Sequence, residues 1–327
     1  DFFGDARARR RCEKFRFTAA CGRAVKCILG RKIPCMISLL ASAPALSIRM
    51  QAPAAAPTAA APAAAASGKR LLVLGGNGFV GREVCLNAVD AGWTVTSLSR
   101  RGESPDAEDP RLSQVAWCAG DATDAETVRS LVDQSDAVVH AIGLLFDVNS
   151  GLTALNNVVS GSRSQAGAES TYDNITRKTA CHVIDALNAR ELAAGAPPTP
   201  FGFVSCAEAG WPDVRFGDRV EKLAPDWLCR YLAAKRAVEA QLGIKGPAPE
   251  KIRPVIVRPS FIWNWKKLDI LPLIPVFNTA SALGVPFVDK TVRVETLAKA
   301  LVAGIDDGAV SGVKRYMDME ALAERLP

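Results

Sequence analysis

Short apolar runs alternate with amphipathic stretches along the chain from Lys69 onward. Apolar runs that stop at glycine or polar residues are typical of buried strands, and apolar positions three and four residues apart are typical of helices. The predicted strands are residues 69–76, 93–102, 115–120, 137–143, 201–206 and 254–260, and the predicted helices are 78–92, 125–134, 171–192 and 231–242. Residues 292–305 have the pattern of a strand leading into a helix. This alternation predicts an α/β fold, a doubly wound parallel sheet with right-handed crossovers.

The first 68 residues have a different texture. Residues 1–35 are rich in arginine and poor in acids, and residues 41–66 run into an Ala/Pro tract. Arg-rich, acid-poor N-termini resemble organelle transit peptides, and an Ala/Pro tract favours an extended spacer. We expect residues 1–68 to be a disordered transit peptide and linker of a mitochondrial or plastid protein. The alternative is an untargeted tail, or upstream sequence ahead of a start at Met36. The apolar run at 37–48 is too short to be a transmembrane segment.

Two irregular segments interrupt the alternation. Residues 147–170 are rich in Ser, Asn and Gly, which predicts a long loop inserted after the fourth strand, either functional or disordered. Residues 268–287 are apolar, but a continuous helix there is broken by Pro272, Pro275 and Pro286. We expect this second segment to roof a substrate pocket rather than to cross a membrane. It would lie within a small C-terminal subdomain at residues 261–327.

Charge and composition exclude several classes of function. The chain has 327 residues and a net charge of +6. Residues 1–68 hold eleven basic residues against three acidic ones, so the remainder is slightly acidic, which argues against nucleic acid as a partner. The chain has two histidines, His140 and His182, and nine cysteines without a C-x-x-C pair. It therefore predicts no metal site and no disulfide framework, but free thiols in a reducing compartment.

A glycine-rich turn separates the first predicted strand from the first predicted helix. It reads Gly75, Gly76, Asn77, Gly78, Phe79, Val80 and Gly81. In such a turn the first glycine permits the sharp exit from the strand, the second lets the backbone approach a pyrophosphate, and the third lets helix and strand pack closely. An ordinary tight turn can have similar spacing. Its position inside a β-α-β unit favours a dinucleotide site, whose phosphates would lie at the helix N-terminus. Residues 69–260 are thus predicted to form an NAD(P)-binding domain.

Residues after the second and third strands suggest which dinucleotide binds. The second strand ends at Ser99 and Arg100, where an NAD-selective site usually has an acidic side chain. A guanidinium there can pair with the 2′-phosphate of NADP, although a solvated arginine is the alternative. Asp121, followed by Ala122, is placed to meet the adenine edge, or else to cap the next helix, for which Asp124 is a second candidate. We expect NADP as cofactor, with NAD possible.

The candidate catalytic residues are Tyr231, Lys235 and Ser205. Tyr231 and Lys235 are four residues apart on a predicted helix, which puts both side chains on one face. An ammonium beside a phenol stabilises the phenolate and lowers its pKa. Ser205 ends the preceding strand, where doubly wound sheets bind ligands, and could donate a hydrogen bond to a substrate oxygen. A Y-x-x-x-K pair is frequent by chance, and a strand-end hydroxyl often bonds its own backbone.

These motifs together resemble the extended, atypical short-chain dehydrogenase/reductases over nearly all of residues 69–327. The resemblance rests on GGNGFVG, GD at 120–121, HAIG, Ser205, Y-x-x-x-K and RPSF. Within this superfamily, which has the Rossmann fold, the sequence is most similar to fungal and plant mitochondrial members associated with coenzyme Q biosynthesis. It resembles the NAD(P)-binding accessory subunit of complex I more distantly.

The resemblance implies roles for individual residues. Tyr231 would be the acid/base, Lys235 would also bind the nicotinamide ribose, and the cofactor would be bordered by Ala141, Gly143 and Pro259. Two positions depart from the family pattern. Thr176 stands where many relatives have asparagine, with Asn174 nearby, and Ser260 stands where relatives often have glycine.

Two functions follow from the sequence. The protein is interpreted first as an NAD(P)-binding structural or regulatory component of a membrane-associated ubiquinone-synthesis or respiratory assembly. The alternative is an active NADP(H)-dependent reductase or dehydrogenase of a carbonyl or alcohol, using Tyr231 and Lys235. An RNA-binding role is disfavoured by the acidic charge of residues 69–327.

Overall fold

The computed structural model describes residues 68–156, 167–265, 273–285 and 287–326. Residues 1–67 of the predicted transit peptide and linker lie outside the described residues. So do residues 157–166 of the predicted insertion and the first part of the predicted 268–287 segment.

The described chain alternates between strands and helices, as predicted. The strands are β1 (Arg70–Leu74), β2 (Thr94–Ser99), β3 (Ala116–Ala119), β4 (Ala137–His140), β5 (Thr199–Val204), β6 (Ile252–Val257), β7 (Ile262–Trp263), β8 (Val292–Arg293) and β9 (Gly312–Lys314). The helices are α1 (Phe79–Asp90), α2 (Ala125–Asp133), α3 (Thr179–Ala189), α4 (Gly217–Lys222), α5 (Asp226–Gln241), α6 (Leu273–Ala282), α7 (Val294–Asp306) and α8 (Tyr316–Ala323). A π-helical turn at Asp173–Lys178 leads directly into α3.

Seven strands form one parallel sheet in the order β3-β2-β1-β4-β5-β6-β9. This is the Rossmann-like, doubly wound arrangement that the sequence predicts. The chain leaves β1 toward β2 on one side and later returns to β4 on the other. In such sheets, ligands bind outside the carboxyl ends of the strands at the point where the order reverses. That point lies here between β1 and β4.

The central strand β1 is buried on both faces because its side chains alternate between two apolar layers. Leu71 and Val73 pack into a cluster that includes residues of α1 and α7. Leu72 and Leu74 pack into a second cluster, with residues of α2, α3 and α5. All four are fully buried, and burial of each such side chain contributes roughly 1.5–3 kcal/mol. An apolar strand between two helical layers is what a parallel sheet requires.

The C-terminal residues complete the main sheet as well as forming a smaller one. β9 pairs with β6 in parallel, with Val255 opposite Gly312. Helix α7 packs against α1, β5 and β6, and α8 packs on α7. β7 and β8 pair separately as a two-stranded sheet. The predicted boundary at residue 260 therefore separates regions that share one seven-stranded sheet.

Helix α6 occupies part of the predicted proline-broken segment. It begins directly after Pro272, and Pro275 lies in its first turn. Proline is tolerated there because the first N–H groups of a helix have no partner within it. No helix in the described ranges combines the length and hydropathy that crossing a bilayer requires.

Candidate dinucleotide and catalytic site

A cavity of about 670 Å³ lies along the carboxyl ends of β1, β2, β4 and β5. It brings together most of the residues that the sequence singles out. The predicted residues that line it are Gly75, Asn77, Gly78, Phe79, Val80, Ser99, Arg100, Asp121, Ala122, Ala141, Gly143, Ser205, Tyr231 and Lys235. Three predicted cofactor residues, Gly76, Gly81 and Pro259, do not line the cavity, and each has a packing role instead.

The glycine turn has the close backbone contacts that its spacing predicts. Gly75 has a φ of +90°, a conformation that glycine adopts without the strain a Cβ would bring. A Cβ on Gly76 would lie 2.3 Å from the Ser97 Oγ, so this residue faces the sheet rather than the cavity. A Cβ on Gly81 would lie 2.1 Å from the Gly75 carbonyl oxygen. Gly81 thus permits α1 to pack against the end of β1.

Replacing Gly81 with alanine is expected to destabilise the protein and to weaken dinucleotide binding. The added methyl group cannot fit without moving α1 away from the Gly75 carbonyl, and overpacking of this kind costs roughly 1–3 kcal/mol. Urea unfolding and titration with NADPH measure the two effects. Gly308→Ala is the control, because a Cβ at Gly308 would meet nothing within 4 Å. Equal stability of the two variants would contradict the packing role of Gly81.

The far end of the cavity is formed by the loops after β2 and β3. Ser99, Arg100 and Asp121 line it, and Arg100 is exposed there. The Ser99 hydroxyl accepts a hydrogen bond from the Gly102 N–H at 3.1 Å. The Asp121 carboxylate accepts one from the Thr123 N–H at 2.8 Å. Both side chains are therefore held in place by local backbone, while the Arg100 guanidinium forms no ion pair with any described residue.

Helix α2 is capped by Asp124, which leaves Asp121 available to the cavity. The Asp124 carboxylate accepts hydrogen bonds from the Glu126 N–H at 3.2 Å and from the Thr127 hydroxyl at 2.6 Å. These bonds hold the pKa of Asp124 below its ordinary value, with the Thr127 hydroxyl as the largest cause. Of the two capping candidates in the sequence, Asp124 is the one that caps the helix.

The three candidate catalytic residues meet at the other end of the cavity. Ser205 follows β5, and its N–H donates to the Val257 carbonyl at 2.8 Å. Its side chain is 2% exposed, and the hydroxyl has no hydrogen-bond partner among the described residues. Tyr231 and Lys235 both come from α5, one turn apart. A buried hydroxyl without a protein partner, aimed at a cavity, is available to bind a ligand oxygen.

Lys235 is held by a hydrogen bond to strand β5. Its ammonium donates a hydrogen bond to the Val204 carbonyl at 2.6 Å and lies over the rings of Phe203, at 5.0 Å, and Tyr231, at 5.6 Å. Burial lowers the pKa of Lys235 to about 8. The position of the ammonium in the cavity is therefore fixed by strand β5 as well as by helix α5.

The pKa of Tyr231 is shifted in the direction opposite to the one the sequence suggests. The spacing of Tyr231 and Lys235 in the sequence predicts that the ammonium lowers the pKa of the phenol. In the structure, burial raises the pKa of Tyr231 well above its ordinary value, with further contributions from Cys206, Glu208 and Tyr172. The phenol is therefore protonated at neutral pH and can donate a proton, as a weaker acid than an exposed tyrosine.

Residues around β4 and β6 form the walls of this end. Ala141 and Gly143 line the cavity, as the family resemblance implies. Pro259 is buried behind the wall, and its carbonyl accepts a hydrogen bond from the Ala207 N–H at 2.8 Å. The next residue, Ser260, lines the cavity in its place.

The π-helical turn before α3 contains Thr176, which stands where many relatives have asparagine, and the nearby Asn174. Thr176 is fully buried, and its hydroxyl has no partner among the described residues. Asn174 points elsewhere, since its amide donates to the Glu169 carbonyl at 3.1 Å. Tyr172, just before this turn, packs edge-on against Tyr231 with ring centroids 5.5 Å apart. Its hydroxyl donates to the Leu145 carbonyl at 2.6 Å.

Sequence reasoning missed most of the apolar wall at the catalytic end. Apolar residues that line the cavity include Leu144, Leu145, Ile175, Phe261 and Ile262, while Ile142 lies against Gly75 at the glycine turn. Helix α6 supports this wall from behind, because Phe277 stacks on Phe261 with ring centroids 5.8 Å apart. No described residue of α6 lines the cavity itself, so the predicted roof is not formed by the described part of that segment. Apolar residues in a loop give no periodic signal, and their position depends on packing.

His140 is a structural residue beneath the cavity floor. Its Nε2 lies 2.8 Å from the Thr179 hydroxyl, which itself donates to the Ile175 carbonyl at 2.7 Å. Burial, with a smaller contribution from the charge of Lys235, lowers the pKa of His140 to about 3. The imidazole is therefore neutral at physiological pH. The described residues contain no cluster of His, Cys, Asp or Glu that could hold a metal ion.

The residues present fit a nicotinamide dinucleotide. At one end, Gly78 lacks a side chain that could cap α1, so the helix N-terminus is open toward the cavity. The first N–H groups of a helix lack intrahelical partners and favour phosphate oxygens. At the other end the unpartnered Ser205 hydroxyl faces the same cavity. The glycine turn would hold the diphosphate, Asp121 and Arg100 would border the adenosine, and Lys235 and Tyr231 would lie beside the nicotinamide ribose.

The chain is similar to several known proteins. Residues 71–164 match the NAD dependent epimerase/dehydratase family. The chain is 26% identical to MIOREX complex component 2 of Saccharomyces cerevisiae over 227 residues, which cover 62% of this chain and 76% of that protein. It is 27% identical over 276 residues to an uncharacterised chloroplastic protein of Arabidopsis thaliana, covering 79% of this chain and 78% of that protein.

Among solved structures, a short-chain dehydrogenase/reductase from Serratia marcescens has a TM-score of 0.52 at 16% identity, covering 76% of this chain and 96% of that one. At this identity the likeness concerns the fold. The glycine turn, β2, β4 and all of β1 except Arg70 lie within residues 71–164, which match the family model. Residues 71–164 thus match the model of the NAD dependent epimerase/dehydratase family, and the described chain shares its fold with a short-chain dehydrogenase/reductase.

Proposed function

We propose that the protein is an NAD(P)(H)-dependent oxidoreductase that interconverts a carbonyl compound and an alcohol. One observation carries this proposal. Ser205, Tyr231 and Lys235 line the same cavity as the glycine turn at the N-terminus of α1. A proton donor, a hydroxyl for the substrate oxygen and a dinucleotide cradle are the groups that this reaction requires.

Ser205, Tyr231 and Lys235 would each have a separate role in this reaction. Ser205 would donate a hydrogen bond to the substrate oxygen, because its hydroxyl is buried and has no described partner. Tyr231 would give that oxygen its proton, since its pKa keeps the phenol protonated at neutral pH. Lys235, fixed by the Val204 carbonyl, would bind the nicotinamide ribose. When bound, the nicotinamide supplies or accepts the hydride.

The wall beside these groups favours a substrate with an apolar body. Leu144, Leu145, Phe261 and Ile262 present aliphatic and aromatic surface to the cavity. Burial of such surface against a ligand is favourable at about 25 cal/mol per Å². We infer that the carbonyl group is carried on an apolar molecule.

We further propose a preference for NADP(H) over NAD(H). Arg100 lines the end of the cavity where the adenosine ribose would lie, and a guanidinium there can pair with a 2′-phosphate. Arg100→Gln is expected to weaken NADPH binding about tenfold or more while leaving NADH binding unchanged, since a charged hydrogen bond contributes roughly 1.5–3 kcal/mol. Titration of both nucleotides measures this. Arg129→Gln, on the exposed face of α2, is the control. Equal loss for both nucleotides would contradict the preference.

The oxidoreductase activity is tested with the purified full chain. Binding of NADPH and NADH is measured by titration, and turnover is followed as oxidation of NADPH with a panel of apolar aldehydes and ketones. Turnover with at least one of these carbonyl compounds is the expected result. Tight binding of nucleotide with no turnover across the panel would oppose the enzymatic role and favour the second candidate below.

A second candidate function is a dinucleotide-binding component of a larger assembly. The observation that favours it is the 26% identity to MIOREX complex component 2, which is named for a complex. In this role the protein would serve a ubiquinone-synthesis or respiratory assembly in a mitochondrion, with a plastid as the alternative. The Arg-rich residues 1–35 and the relative named as chloroplastic support an organelle. Co-purification of partners with the tagged chain, unchanged by Tyr231→Phe, would support this candidate.

A further inference from the structure

The inserted segment after β4 has no role in the reaction proposed above, yet parts of it reach the cavity. Residues 147–156 and 167–170 of the insertion are described. Among them, Asn156 and Ser170 both line the cavity. The beginning and the end of the insertion are joined, because the Val148 N–H donates a hydrogen bond to the Ser170 carbonyl at 3.2 Å. The insertion therefore contributes to the cavity wall at two positions.

Asn156 holds the backbone of Phe146 with both ends of its side-chain amide. Its Oδ1 accepts a hydrogen bond from the Phe146 N–H at 3.0 Å, and its Nδ2 donates one to the Phe146 carbonyl at 2.6 Å. Both residues are buried. Because an N–H donates and a carbonyl accepts, these two bonds fix the orientation of the amide. Asn156 thus exchanges two hydrogen bonds with Phe146, as a residue of a neighbouring strand would.

Helix α5 contacts the same segment through two further side chains. The Phe146 ring packs edge-on against that of Trp227, with ring centroids 4.9 Å apart. The carboxylate of the next residue, Asp147, is buried and lies 3.4 Å from the guanidinium of Arg230, which directly precedes Tyr231. Residues 146–147 are therefore held both by the insertion and by the helix that carries the candidate proton donor.

Leu144 and Leu145, which precede this segment, belong to the apolar wall of the cavity. The Leu145 carbonyl accepts a hydrogen bond from the Tyr172 hydroxyl at 2.6 Å, and the Tyr172 ring packs against that of Tyr231. Residues 141–147 belong to no helix or strand, so no regular hydrogen-bond ladder holds them. The place of this wall beside Tyr231 is therefore set by side-chain contacts.

We propose that Asn156 is a positioning residue for substrate binding, through which the insertion determines which apolar carbonyl compounds the site accepts. By holding both main-chain groups of Phe146, Asn156 keeps Leu144 and Leu145 at a fixed place, where they would pack against the apolar body of the substrate. A wall that is already ordered binds a ligand without the entropic cost of ordering a loop. As regards the class of substrate, the inference rests on the proposed function.

The experiment compares a long and a short aldehyde, with the full chain and NADPH. Octanal has more apolar surface to bury against the wall than butanal has, so its binding depends more on the position of the wall. In Asn156→Ala the ratio of kcat/KM for octanal to that for butanal is expected to fall about tenfold, through a higher KM for octanal. Asn149→Ala, at an exposed position of the same insertion, is expected to retain the wild-type ratio.

Binding of octanol to the NADPH-loaded chain, measured by calorimetry, tests the wall without turnover. Its Kd is expected to rise about tenfold in Asn156→Ala and to be unchanged in Asn149→Ala. Tyr172→Phe removes the hydrogen bond to the Leu145 carbonyl but keeps the ring. It is expected to change both measurements in the same direction, and it gives a second test if Asn156→Ala fails to fold.

Three results would overturn the proposal. The first is octanol binding that is the same in Asn156→Ala, Asn149→Ala and the wild type. The second is an equal loss of kcat/KM for octanal and butanal in Asn156→Ala, which would indicate general damage to the site. The third is a wild-type chain that does not bind octanol. Absence of turnover with both aldehydes, together with octanol binding that Asn156→Ala weakens, would oppose only the proposed function.

Discussion

Replacing Tyr231 with phenylalanine is expected to reduce turnover by about 10²–10⁴-fold, the usual contribution of a positioned general acid. Phenylalanine retains the ring that packs against Tyr172, 5.5 Å away, but lacks the hydroxyl that would protonate the substrate oxygen. NADPH binding should fall far less than turnover, since the glycine turn and Arg100, which would hold the diphosphate and the adenosine, lie at the other end of the cavity. The measurements are the oxidation of NADPH with the best carbonyl compound of the panel and a nucleotide titration of the same variant.

The matched control is Tyr316→Phe, which removes a hydroxyl from α8, outside the cavity. It should have wild-type turnover. If Tyr231→Phe also retained full turnover, the proton would come from another group and the role given to Tyr231 would be wrong. A loss of turnover together with a loss of NADPH binding would indicate a damaged cavity rather than a missing proton donor.

Replacing Glu239 with glutamine is expected to lower the free energy of unfolding by about 3–5 kcal/mol, the cost of leaving one partner of a buried ion pair alone. Glu239 accepts two hydrogen bonds from the Arg258 guanidinium, at 2.8 and 2.7 Å. The Glu239 side chain is 2% exposed and that of Arg258 is 9% exposed. Hydrogen bonding to Glu239 is the largest cause of the raised pKa of Arg258. Urea unfolding, extrapolated to water, measures the loss.

A partly exposed ion pair between α5 and α4 supplies the control. Arg236 and Glu221 also form two hydrogen bonds, at 2.6 and 2.8 Å, but their side chains are 27% and 26% exposed. Glu221→Gln is expected to cost about 1 kcal/mol or less, because solvent replaces much of the lost interaction. Equal costs for the two variants would show that burial does not govern the Glu239 pair. Since Glu239 lies one turn after Lys235 and Arg258 lies two residues before Ser260, this pair also fixes α5 against a wall of the cavity.

The sequence by itself determined those features that depend on short-range backbone geometry. The predicted alternation of strands and helices is confirmed by the seven-stranded parallel sheet. It is visible in the sequence because a strand buried on both faces is a short apolar run, whereas a helix buried on one face has apolar residues three and four positions apart. The close contact of Gly81 with the Gly75 carbonyl agrees with the spacing of the glycine turn, since only glycine permits it. Tyr231 and Lys235 share a helix as predicted, because four residues make about one turn.

Only the tertiary structure decided how these residues act. The Lys235 ammonium goes to the Val204 carbonyl, 31 residues away in sequence, and so does not lower the pKa of Tyr231. β9 extends a sheet begun at β1, and Phe261 and Ile262 become cavity wall without any periodic signal. In each case the deciding quantity is the burial and hydrogen bonding of a side chain against an element distant in sequence, which local patterns do not contain.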